Sequence, residues 1–62
     1  MDTAKMDWWL DVARKETDNA RQFLYSAEYA DMGMDFRTAN AKSCAVSFRK
    51  ALKNAADASK GN

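Results

Sequence analysis

Few residues in this chain could do chemistry. Its 62 residues hold a single cysteine, Cys44, and no histidine. Without histidine there is no Ser-His or Cys-His pair, so a nucleophile would lack its usual base. One thiol and no imidazole cannot build a zinc cage. Asp7 and Asp11 stand four apart and would share one face of a helix. Two carboxylates so placed can hold a hydrated magnesium ion, but no further ligand is spaced to join them. The only glycines are Gly33 and Gly61, so no glycine-rich phosphate loop exists. Cys44 falls on an apolar stripe, where a thiol behaves as a small inert hydrophobe. The expectation is a non-enzymatic protein with no catalytic residue, no cofactor and no metal. A chain this short also cannot enclose a typical substrate pocket, so no small-molecule substrate is expected.

The stronger pattern is architectural. Asp31-Met32-Gly33-Met34-Asp35 is the one helix-breaking stretch in a chain without proline. Gly33 is placed as a left-handed residue just past a helix end, with Met34 folding back on Tyr29. Asp35 is placed as the N-cap of a new helix, with Met34 stapling against Ala39. A stop and a start this close predict an antiparallel hairpin of two helices. The first helix spans about residues 3–32, the turn falls at Gly33-Met34, and the second helix spans about residues 36–60. The fold class is all-α, with residues 1–62 as one helical-hairpin domain.

The apolar residues keep a heptad phase. Met6, Ala13, Ala20 and Ala27 fall seven apart, and Trp9, Glu16, Phe23 and Ala30 follow three residues on. The second segment carries Ala41, Phe48 and Ala55, then Cys44, Ala51 and Ala58. In a hairpin turning at Met34, facing residues would have numbers adding to roughly 68. Phe48 would then meet Ala20, Phe23 would meet Ala45, and Trp9 would meet Ala58. The alternative is a three-helix bundle broken near Thr17-Asp18-Asn19, three good N-cap residues. The heptad phase crosses that segment without a skip, and no glycine or proline is there to turn the chain, which favours one continuous helix.

A hairpin alone makes a single seam, and a chain this small is marginal by itself. Two hairpins pairing into a four-helix bundle, a homodimer, would supply the missing layer, as would docking on a larger protein. Trp8, Val12, Tyr25, Tyr29 and Met32 lie outside the seam and form the candidate partner-binding set. Tyr25 and Tyr29 would be neighbours one helical turn apart. Glu16 is the one charge on the seam, expected beside Arg49, Leu52 and Lys53. There it serves as an internal ion pair or as a device fixing register and pairing specificity.

Charge is split between the halves. Residues 1–32 carry four basic and seven acidic groups, net −3, and residues 33–62 carry six and two, net +4. Lys42, Arg49, Lys53 and Lys60 form a nearly straight basic stripe along the second helix. Such a stripe either tracks a phosphate backbone or pairs internally, with Glu28–Lys42 and Asp18–Lys50 as the expected partners. No apolar run is long enough to span a membrane, and the start lacks a signal-peptide pattern, so a cytoplasmic protein is expected. The function expected is binding: a small regulatory module that covers a surface of a larger protein, in the manner of a phage- or plasmid-type inhibitor of a host or defence complex. The alternative is an RNA- or DNA-binding hairpin dimer using the basic stripe. In architecture alone, with no shared motif, the chain resembles the Rop-type RNA-binding hairpins of plasmids.

Overall fold

A computed structural model describes residues 2–61, which fold as two antiparallel helices joined by a short turn. Helix α1 runs Thr3–Tyr25. Asp2 caps it, Oδ1 accepting the backbone N–H of Lys5 at 3.0 Å. The segment Thr17–Asn19 stays helical. The Thr17 hydroxyl donates back to the Ala13 carbonyl at 3.1 Å, so it is satisfied without leaving the helix. The described residues therefore form two α-helices, not three.

α1 ends well short of Met32. Ser26 is extended, at φ −70° and ψ 138°, and its Oγ accepts the N–H of Glu28 at 3.2 Å. That cap starts a single 3-10 turn, Ala27–Tyr29. Backbone bonds from Ala30 to Ala27 and from Met32 to Tyr29 then carry the chain to Gly33. Helix α2 runs Met34–Ser59. Met34, expected in the turn, is thus its first residue. Its N-cap is Gly33 instead of Asp35, which lies in the first turn and still complements the helix dipole. Gly33 is not left-handed either: φ is −64° and ψ 154°. Gly61 does adopt the positive φ, 84°, that suits a glycine just past a helix. Ala27 and Ala30, expected on the seam, are exposed because they belong to the turn.

The longer turn resets the register. At the open end the Asp2 N–H donates to the Ala58 carbonyl at 3.2 Å. At the turn the Phe23 carbonyl accepts from Arg37, and the Phe23 ring lies 6.4 Å from that of Phe36. These facing pairs have numbers adding to about 60, not 68, because the chain reverses near residue 30. Phe48 is accordingly level with Val12 and Ala13 instead of Ala20, and Phe23 packs on Tyr29 and Phe36 instead of Ala45. Trp9 does reach Ala58, and the two line a shallow open groove with Lys5, Asn54 and Asp57. A helical side chain leans toward its own N-terminus, which lets Trp9 cover the difference.

The core is made of small side chains. Ala13, Cys44, Ala51, Ala55 and Ala58 are buried, and among the described residues nothing larger is. The Cα trace measures 45 × 16 × 8 Å, a slab one helix thick.

Gly33 has open space where a Cβ would stand, and its backbone suits any N-cap residue. Gly33→Ser should therefore raise stability by about 0.5–1 kcal/mol, since serine adds a capping oxygen and loses less chain entropy on folding. A urea melt followed by circular dichroism checks this; a clear loss would mean that the backbone here is left-handed after all.

Candidate interaction site

The turn end is built around Phe23. Tyr29, brought back by the 3-10 turn, stacks on it at 4.8 Å with planes tilted by 37°. Phe36 meets it edge-on from α2, the planes 70° apart. Beneath these rings Arg37 clasps the end of α1. Its Nε donates to the Phe23 carbonyl at 2.9 Å, and a second guanidinium N–H donates to the Leu24 carbonyl. Its remaining arm lies 3.6 Å from the Met34 sulfur. A helix leaves its last carbonyls unsatisfied, and a cation there meets both the hydrogen bonds and the dipole. In the sequence Arg37 shows only as one of the basic groups of the second half. The signal available was an arginine one turn into α2, opposite the end of α1, but using it required the correct register.

The five candidate partner-binding residues fall in separate places. Trp8 is 59% exposed, and its ring meets Trp9 edge-on at 4.7 Å. Val12, one turn on, is half-buried along the same flank. Tyr25 stands free at the end of α1, 81% exposed, while Tyr29 is half-buried against Phe23. They are not neighbours on one helix, because the helix stops between them. Met32 is exposed in the turn, close in sequence to the exposed Met34 and Phe36. The surface thus offers a tryptophan flank and an apolar tip.

Glu16 faces Cys44, not Arg49, Leu52 and Lys53. Burial pushes the Cys44 thiol above its ordinary value of 9.0, and the Glu16 carboxylate raises it further. The thiol is free and buried. Among the described residues Glu16 has no ion-pair partner; the pair that does form is Arg14–Asp11, 3.8 Å apart on the exposed side of α1. Asp7 is exposed there too, and among the described residues no three acidic or thiol groups converge on a metal site.

Lys42, Arg49, Lys53 and Lys60 are all exposed, and among the described residues none pairs with a carboxylate. The expected pairs Glu28–Lys42 and Asp18–Lys50 do not form. Register parts both pairs: with facing numbers adding to about 60, Lys42 lies level with Asp18 and Lys50 with Leu10. The stripe lies nearly half a turn round α2 from Cys44, Ala51 and Ala55, so it faces away from α1. No helix of the described residues is long and apolar enough to cross a membrane. No family model, curated protein or solved structure matches the chain.

Two predictions follow from the clasp and the thiol. Arg37→Ala should cost about 1–3 kcal/mol, because two charge-assisted bonds to α1 are lost. Arg37→Lys should recover only part of this, since an ammonium cannot span both carbonyls as the guanidinium fork does. Denaturant melts of the three proteins rank them. For Cys44, a folded pKa above the unfolded one means that the neutral thiol's contribution is complete below the unfolded pKa. It is lost as pH rises through the folded one. Stability should therefore fall as pH climbs past about 9, and Cys44→Ala should flatten that part of the fall. Melts between neutral pH and pH 10 make the comparison.

Proposed function

We propose that this hairpin is a non-enzymatic interaction module that pairs into a four-helix bundle dimer and acts by covering a surface of a larger protein. One observation carries the reading: α1 and α2 bury four alanines and a cysteine, while Trp8, Leu10, Tyr25, Met32, Met34, Phe36, Val46 and Leu52 are left exposed. Large apolar groups outside and small ones inside support a core that another chain would complete. Trp8 with Val12 on one flank, and Tyr25, Tyr29 and Met32 toward the tip, are the groups for the target, since tryptophan, tyrosine and methionine concentrate binding energy in interfaces. Glu16 serves as a register and specificity group, a half-buried carboxylate tolerated where it makes other pairings worse. A cytoplasmic inhibitor of a host or defence complex, of phage or plasmid type, is the role such a module would fill.

A second reading has its own support. The stripe Lys42, Arg49, Lys53 and Lys60 is exposed and free of internal ion pairs among the described residues, so it is available to RNA or DNA phosphates.

Affinity capture separates the two readings. A protein retained by the wild-type chain should be lost with Trp8→Ala, whose effect at an interface centre is a weakening of about 30-fold or more. Helicity should be unchanged. If the basic stripe is the site instead, Lys42→Glu with Arg49→Glu and Lys53→Glu abolishes RNA or DNA binding, and wild-type affinity falls steeply with salt.

A further inference from the structure

On one side of the hairpin two uncharged columns run side by side, with Arg14 and Arg21 of α1 and Arg49 of α2 at their outer margins. Phe23 against Phe36, and Lys5 with Asn54 in one groove, mark the opposite side. Passing the other way round each helix from the buried seam brings up two columns. On α1 they are Met6, Leu10, Ala13, Thr17, Ala20 and Leu24; on α2, Met34, Thr38, Ala41, Ala45, Phe48 and Leu52. Both run at alternating spacings of four and three, the heptad repeat of a helix seam that meets further helices. None of these positions is charged, in a chain whose charged residues make up 31%. Yet Leu10, Met34 and Leu52 are exposed, and Met6, Leu24 and Phe48 are only half-buried.

We propose that this face is where a second copy of the chain seats, tip to tail. The inference rests on the dimeric reading above and adds the face and the orientation. Area fits a second copy. The 45 × 16 Å slab offers about 700 Å² on one side, and two such faces together reach the range of a stable interface. Shape gives the orientation. With facing numbers adding to about 60, Met6, Leu10, Phe48 and Leu52 crowd the open end, Leu24 and Met34 stand at the turn, and Thr17, Ala20, Thr38, Ala41 and Ala45 leave a hollow between them. A copy laid in the same direction stacks bulk on bulk and alanine on alanine. A copy turned end for end sets α1 on α1 and α2 on α2, with Met6 over the other copy's Ala20 and Leu52 over its Ala41. Each hollow is then filled and only the two Phe48 rings meet, near the twofold axis. Trp8, Val12 and the basic stripe stay outside this contact, free for a target.

Light scattering on the full chain at about 100 µM, together with thiol cross-linking, tests the proposal. The expected mass is twice 7.0 kDa. Leu10→Lys should shift it toward monomer, and Trp8→Lys, on the other side, should not. Because a variant monomer can unfold, orientation is read separately in a Cys44→Ala background carrying Met6→Cys with Ala20→Cys. Those two positions are too far apart on α1 to join within a chain, so a disulfide-linked dimer supports tip-to-tail seating. A dimer of the right mass that does not cross-link overturns the orientation and leaves pairing intact. A dimer broken by Trp8→Lys but not by Leu10→Lys overturns the face. A wild-type monomer overturns pairing itself.

Discussion

The seam between α1 and α2 is what the rest of the structure depends on, and it is lined mainly by alanine. Ala13 on one helix, with Ala51, Ala55 and Ala58 on the other, leaves nothing to hold the backbones apart. Helices so lined can pack toward the short end of the 8–10 Å range. The same choice limits what the seam contributes. A buried methyl is worth roughly 0.8 kcal/mol, against about 1.5–3 for a leucine or phenylalanine side chain. The seam therefore brings the helices together without supplying much of the burial that usually opposes chain entropy. It sets geometry first and stability second.

The ends of the seam make up part of the difference with polar contacts. Asp2 both caps α1 through its carboxylate and ties it to α2 through its own N–H on Ala58. Arg37 does the converse at the turn, reaching from α2 to the last carbonyls of α1. Each bond satisfies a group that a helix end would otherwise leave to water. Because one lies at each end, the two together oppose sliding as well as splaying. A shift of one residue would break both, so register here is held by the ends while the alanine stripe between them is permissive.

Most of the fold was legible because two signals agreed. Heptad columns gave helix and antiparallel seam, and the absence of proline left few places to turn. Cys44, Ala51, Ala55 and Ala58 were all placed on the buried stripe correctly. What was not legible was where α1 stops. Ser26-Ala27-Glu28-Tyr29-Ala30 carries good helix formers and no glycine. The break there comes from tertiary contact: a single extended residue lets Tyr29 stack on Phe23 and lets Arg37 reach the freed carbonyls. An unbroken helix would have carried Tyr29 a third of a turn round from Phe23 and more than one full turn along the axis. Glycine was the misleading cue, since Gly33 serves as an unstrained N-cap. The displaced turn then altered every facing pair, including the neighbours assigned to Glu16.

The candidate surfaces suffered from the same displacement in different degrees. Positions within one helix kept their relations: Trp8 with Val12, and the four basic residues with one another, because their phase depends only on α2 or α1 itself. Relations across the turn did not survive, which is why Tyr25 and Tyr29 parted and the internal ion pairs vanished. The lesson is physical. A helical face is a local property, written in spacing, whereas what faces it is set by the few residues that end the helix. In this chain those residues are Ser26 and Arg37, and they set which apolar groups are covered and which stand exposed.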